Sequence, residues 1–184
     1  MLADNILLQE GVIYRLLGGL WVTVEIGFLS VALSIPLGVL VGLLMTSRSK
    51  VVRAILRMYL EVVRVMPQLV LLYVVFFGTA AWFGANLDGF EASIAVFTFW
   101  GAAEMGVVLS QAIRRLLPPA INLITRMIKT TALCNLIGVV EVIRVGSQIT
   151  DFYRFKFPTT GALWIYGAIF FLYFAACFPL SLLA

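Results

Sequence analysis

An apolar run of membrane-spanning length is the strongest constraint that this sequence places on its fold. Residues 19–45 contain one ionisable side chain, Glu25, among apolar or small residues. A helix needs about 20 such residues to cross the hydrocarbon core of a bilayer, so the run predicts a transmembrane helix. The composition agrees, because 62% of the side chains are hydrophobic and 12% are charged, whereas soluble domains carry about 25% charged residues.

Further apolar runs extend this prediction to an all-α, polytopic membrane protein with about five transmembrane helices. We expect residues 1–15 to form a short extracytoplasmic or interfacial segment and residues 16–184 to form a single transmembrane domain. The fourth of the five spans is more polar than the others. The four additional spans cover residues 59–82, 93–113, 120–143 and 161–184.

The charges between the spans alternate in sign along the chain. Segment 46–58 carries four basic residues and no acid, and segment 84–91 carries two acids and no base. Arg114 and Arg115 follow the third span. Basic loops remain on the cytoplasmic side of membrane proteins. The pattern therefore predicts an N-terminus outside the cell and a C-terminus inside.

Several classes of function are excluded by the residues that the sequence lacks. With 0 histidines the chain has no imidazole to act as a general base or a metal ligand. Its two cysteines, Cys134 and Cys177, lie far apart, and no glycine-rich nucleotide motif is present. We therefore expect no enzymatic activity, no metal and no cofactor in this chain. The net charge of +4 is distributed at the ends of apolar runs, so no nucleic-acid partner is expected.

Ionisable side chains inside the predicted spans indicate which helix faces are turned away from lipid. In the fourth span, Asn122, Thr125, Arg126 and Lys129 recur at helical spacing and form one polar stripe. One interpretation is a helix that lines a water-filled pathway, with Glu104 of the third span balancing its charge. The other is that both bases snorkel to the cytoplasmic interface. Both interpretations remain open from the sequence.

Two smaller patterns predict contacts between or along helices. Glu61 and Arg64 are three residues apart, on one face of a helix, and are predicted to form a structural ion pair. Gly38 and Gly42 form a small-xxx-small pattern that allows another helix to approach closely.

Several stretches in the expected order resemble the permease subunits of bacterial ABC importers for polar amino acids, such as histidine, glutamine, arginine, glutamate and opines. Glu61-Val-Val-Arg-Val-Met-Pro67 is similar to the second-helix signature of that family, and Trp100-Gly-Ala-Ala-Glu-Met-Gly106 is similar to the third-helix signature. The other similar stretches are 17–26 and 35–43 in the first helix, and 116–133 and 137–141 in the fourth.

The resemblance implies a type I ABC importer permease fold in the bacterial inner membrane. It also implies a second permease subunit, identical or similar, and an extracytoplasmic amino-acid-binding protein. Two ATP-binding subunits would hold ATP and Mg outside this chain. Polar amino acids would then cross by alternating access along a pathway near Glu104, Asn122, Arg126 and Lys129.

Two departures from the family pattern stand out. Val65 and Met66 occupy the place of Gly-Thr in the usual Arg-Gly-Thr-Pro sequence. The cytoplasmic coupling loop with its EAA signature, which docks on the ATPase, is missing at residues 106/107. Residues 91–106 would then be only the first part of the third helix. Two alternatives therefore remain: an ion- or proton-coupled transporter or channel using Glu25 or Glu104, and a non-transporting membrane subunit.

Overall fold

The computed structural model describes residues 6–111, 117–157 and 161–182, with side chains described throughout except at 108–111 and 117. Within these ranges the regular structure is helical and contains no strand. The predicted all-α class is confirmed. Short 3-10 segments cover Ile6–Leu8 and Thr131–Ile137. The α-helices are α1 (Val12–Met45), α2 (Lys50–Val65), α3 (Gln68–Phe83), α4 (Gly89–Gln111), α5 (Leu117–Thr130), α6 (Val142–Phe152) and α7 (Gly161–Ser181).

The helices have the length and composition of a polytopic membrane protein. In the described part of the chain, α1 and α7 are each long and apolar enough to cross a bilayer. Two bent pairs qualify only when their halves are combined, which allows up to four spans by this criterion. The pairs are α2 with α3, and α5 plus its 3-10 extension with α6. In addition, α4 has 23 residues, a length of about 35 Å at the helical rise.

The predicted second span is broken rather than continuous. The chain bends by 106° between α2 and α3, at Met66 and Pro67. Met66 has an extended backbone with ψ 134°, because the ring of a following proline disfavours the helical conformation. Pro67 also lacks the N–H that would continue the helix.

The predicted fourth span is also divided. The α5 helix ends at Thr130, a 3-10 segment follows, and α6 begins at Val142 after a bend of 51°. Gly138 lies between them with φ +89°, a left-handed conformation that favours glycine.

The other boundaries differ in smaller ways. The first helix begins at Val12, inside the segment predicted to precede the transmembrane domain. The α4 helix continues without a break through residues 106 and 107 to Gln111. Residues 106 and 107, where the family's coupling loop would be inserted, therefore lie within one helix.

A close contact between α1 and α4 forms the centre of the bundle. The Ser34 hydroxyl donates to the Thr98 carbonyl at 3.1 Å, and further along α1 Gly38 lies against Met105. The contacts advance in the same direction on both helices, so α1 and α4 are parallel. Successive spans of a polytopic protein cross the membrane in opposite directions, so the first and third spans must be parallel.

The α5 helix runs antiparallel to α4. Met127 contacts Gly101, whereas the earlier residue Asn122 lies in a groove beside the later residue Met105. This antiparallel packing brings the polar stripe of α5 alongside Glu104, at the level of α1 between Ser34 and Gly38.

Candidate functional site

Glu104 on α4 and Arg126 on α5 form an ion pair. The guanidinium Nη2 of Arg126 donates to Oε2 of Glu104 at 2.9 Å, with exposed side-chain fractions of 51% for Arg126 and 26% for Glu104. The guanidinium carbon also lies 4.7 Å from the ring centroid of Trp100, which is buried. Trp100 precedes Glu104 by one helical turn, so both side chains project from the same face of α4. The guanidinium group of Arg126 thus makes a cation–π contact with Trp100 and an ion pair with Glu104.

A groove of about 410 Å³ surrounds this ion pair. Asn122 lies one turn before Arg126 on α5 and faces the same groove. Pro118 and Pro119 occupy the first turn of α5, where a missing N–H breaks no helical hydrogen bond. The groove is lined by Glu104, Met105, Pro119, Asn122, Leu123 and Arg126.

The Glu104–Arg126 ion pair lies far from both ends of the membrane-spanning part of α1. The adjoining part of α1, between Ser34 and Gly38, lies about 20 Å from Trp21 and about 10 Å from Met45 at the helical rise. Both distances place the pair within the thickness of a membrane. A charged group facing lipid at such depth costs about 2.5–3.5 kcal/mol. We therefore expect the groove to face water or a second polypeptide rather than acyl chains.

Lys129 lies outside the groove that contains the other three predicted pathway residues. It lines a second groove of about 350 Å³ between α5 and α7, half of whose lining residues are aromatic. Within the described residues no carboxylate lies within 4.0 Å of its ammonium group. The structure thus brings Glu104, Asn122 and Arg126 together and separates Lys129 from them. The other residues lining this second groove are Thr125, Phe170, Tyr173, Phe174, Cys177, Phe178 and Ser181.

The structure also places the residues predicted to make helix contacts. Glu61 and Arg64 are both exposed on α2, and no guanidinium nitrogen of Arg64 lies within 4.0 Å of a carboxylate oxygen of Glu61. The predicted ion pair is therefore not formed. Gly38 and Gly42 are both buried on α1. A Cβ atom on Gly38 would lie 2.5 Å from Cβ of Met105, so this glycine allows the close approach of α4.

Glu141 is a fully buried acid with a structural explanation. Its carboxylate accepts the backbone N–H groups of Ile143 at 2.8 Å and Arg144 at 2.7 Å. These bonds cap the N-terminus of α6, where a negative charge is favourable. The predicted fourth span over residues 120–143 includes this acid but not its role as a cap. The preceding Gly138 was the available signal that one helix ended and another began.

Comparisons with known proteins agree on one group of transporters, although no family model matches the chain. The chain is 26% identical to the L-cystine transport system permease protein TcyB of Bacillus subtilis, over 96% of this chain and 86% of that protein. It is 24% identical to the probable glutamine ABC transporter permease protein GlnP of the same organism, over 90% and 88% of the two chains. The probable amino-acid ABC transporter permease protein YckA of that organism is also 24% identical, over 79% and 80%.

The chain resembles the permease subunits of amino-acid ABC transporters. The predicted resemblance is confirmed by these names. The fold agrees: the crystal structure of an amino acid ABC transporter with histidines superposes with a TM-score of 0.82 at 22% identity, over 92% of this chain and 90% of the other. The permease relatives are transport proteins, which indicates a non-enzymatic role for this chain as well.

The permease relatives contain internal residues that this chain lacks. The alignments with TcyB and GlnP extend over 211 and 201 positions, although the whole chain has 184 residues. The loss of the coupling loop at residues 106/107 stays a prediction.

Proposed function

We propose that this chain is the transmembrane subunit of an ATP-driven importer that moves polar amino acids across the bacterial inner membrane by alternating access. The supporting observation is the exposed Glu104–Arg126 pair at membrane depth. The α-ammonium and α-carboxylate groups of a free amino acid complement these two side chains. Charge-assisted hydrogen bonds of this kind are stronger than neutral ones.

The pair provides a way for substrate to couple to helix movement. A zwitterion that enters the groove exchanges the contact between Glu104 and Arg126 for two contacts with itself, so neither charge is left unpaired. Separating the two side chains removes a link between α4 and α5. Substrate binding thereby favours the conformation in which these helices are apart, as population shift requires.

The remaining parts of the importer are assigned to partner subunits. A second permease subunit, identical or similar, covers the polar face of α4 and α5. Two ATP-binding subunits hold ATP and Mg and perform the hydrolysis, and an extracytoplasmic binding protein delivers the amino acid. The N-terminus lies outside and the C-terminus inside, an orientation supported by the basic segment 46–58.

Uptake of labelled amino acids into proteoliposomes containing the assembled transporter tests the proposal. We expect Glu104→Gln and Arg126→Gln each to reduce ATP-dependent uptake at least about tenfold, since each removes one of the two charges proposed to bind the ammonium and carboxylate groups of the substrate. The charge-exchanged variant Glu104→Arg/Arg126→Glu should recover part of the activity. Arg154→Gln, which removes an exposed arginine beyond α6, is the matched control. Wild-type uptake by both single variants would disprove the role of the pair.

Lys129 requires a test of its own because it lies in a separate groove. We propose that it contacts substrate during passage, and we expect Lys129→Met to reduce both uptake and substrate-stimulated ATPase activity. If both activities are unchanged, Lys129 has no part in transport.

The internal deletion favours a second candidate, a membrane subunit that does not transport. A permease without its coupling segment would lack a contact through which ATP hydrolysis moves its helices. Co-purification with ATP-binding subunits but no ATP-dependent uptake would support this candidate. Uptake driven by an ion gradient without ATP would instead indicate a secondary transporter.

A further inference from the structure

The α2 helix has three distinct faces, and only one of them is packed. Leu60 and Val63 are buried, and the Tyr59 hydroxyl donates to the Phe99 carbonyl of α4 at 2.6 Å. This face attaches α2 to the bundle. Ser49 caps the start of α2 by accepting the N–H of Val52 at 3.4 Å.

The second face of α2 is an exposed apolar stripe. Its five members recur at intervals of three or four residues, so they lie along one line of the helix. Between 49% and 79% of each side chain is exposed. Such a stripe is costly in water and favourable against acyl chains. Its members are Val51, Ile55, Met58, Val62 and Val65.

The third face is basic and lies directly beside the apolar stripe. Lys50, Arg53, Arg57 and Arg64 share it with one acid, Glu61. Within the described residues none of the four bases has a carboxylate within 4.0 Å. The positive charge on this face is therefore not neutralised by the protein itself.

The position of α2 sets the depth of these two faces. The helix starts five residues after α1 ends at Met45, so its first two turns lie near that end of the span. The chain turns by 106° where α2 gives way to α3. An amphipathic helix with a basic face beside an apolar face binds at a membrane interface, with its bases at the level of the headgroups.

We propose that Lys50, Arg53 and Arg57 bind the headgroups of anionic phospholipids in the inner leaflet, while the apolar stripe contacts their acyl chains. The unneutralised basic charge is complementary to anionic lipid, and arginine binds phosphate through two parallel hydrogen bonds. The leaflet follows from the orientation proposed above, but the lipid contact is independent of transport. A lipid site of this kind makes the conformation of α2 sensitive to membrane composition.

The test measures lipid retained by the purified protein. The wild-type chain is extracted from membranes of equal phosphatidylglycerol and phosphatidylcholine content, and bound lipid is identified by native mass spectrometry. We expect phosphatidylglycerol to be retained preferentially, and its affinity to fall on the order of tenfold in Arg53→Gln/Arg57→Gln. Arg154→Gln, which removes one exposed arginine beyond α6, is the control, and it should retain the wild-type lipid ratio.

Equal retention of both lipids by the wild type, or unchanged retention by the double variant, would overturn the proposal. If the double variant does not fold, wild-type protein in 0.1 M and 1 M salt supplies the second measurement. High salt should release the anionic lipid, because dissolved ions screen the attraction between exposed basic side chains and the lipid headgroups. Unchanged lipid retention but loss of an ATP-binding subunit in the double variant would assign the basic face to that subunit instead. Glu104→Gln should retain lipid normally, which separates this proposal from the transport proposal.

Discussion

The side chain of Thr23 on α1 accepts the backbone N–H of Val142 on α6, at 3.3 Å between Oγ1 and N. The two residues are 119 positions apart and both are fully buried. The same hydroxyl donates to the Gly19 carbonyl at 3.0 Å. Thr23 thus joins the start of α6 to the first helix at the point where the fourth span is broken.

Replacing Thr23 by valine should destabilise the protein by about 1–3 kcal/mol, because the buried N–H of Val142 would lose its acceptor while the shape is retained. Thermal unfolding in detergent measures this change. Thr46→Val is the matched control, since the Thr46 hydroxyl is exposed and bonds to the Leu43 carbonyl of its own helix. Equal melting temperatures for the two variants would show that the Thr23 bond contributes nothing.

Two glycines of α1 should respond differently to the same substitution. Gly38→Ala places a Cβ against Met105 and should cost about 1–3 kcal/mol by overpacking. Gly18→Ala meets no atom within 4 Å and should be neutral or stabilising by up to about 1 kcal/mol, because alanine favours the helix. Comparison of the two melting temperatures tests the α1–α4 contact. A Gly38→Ala protein as stable as Gly18→Ala would contradict it.

Removing the buried carboxylate of Glu141 should lower the free energy of unfolding, because this carboxylate caps α6. Glu141→Ala leaves two part-buried hydrogen bonds to the first turn of α6 unmade and should cost about 1–2 kcal/mol. Glu61→Ala removes an exposed acid that forms no ion pair and should change the free energy of unfolding by less than about 0.5 kcal/mol. Similar losses in both variants would mean that the cap is not a major contributor to stability.

The Glu104–Arg126 pair should matter more for transport than for stability. A double-mutant cycle with Glu104→Gln and Arg126→Gln should give a coupling free energy of unfolding of about 1 kcal/mol or less, as exposed pairs do. Uptake should nevertheless fall at least about tenfold in each single variant, because one of the two proposed contacts with substrate is lost. A coupling free energy of about 3 kcal/mol or more would instead show that the pair mainly stabilises the packing of α4 against α5.

Much of the polar site could be predicted from residue spacing alone. Asn122 and Arg126 are one turn apart, so they share a face wherever α5 lies, and the structure places both in one groove. The contact of Arg126 with Glu104 could only be suggested, because it depends on the register between two helices. Helical periodicity predicts that Lys129 lies on the same face as Arg126. The position of α7 separates the two residues, since it forms a second groove beside Lys129.

The sequence by itself determined that this protein is a helical membrane protein, because a bilayer accepts only segments whose side chains are apolar and whose backbone groups bond internally. Both requirements are local, so each apolar run reveals them. The parallel packing of α1 on α4 and the pairing of Glu104 with Arg126 were decided by the tertiary structure. These features depend on which surfaces of distant helices fit together, and hydropathy carries no information on that fit.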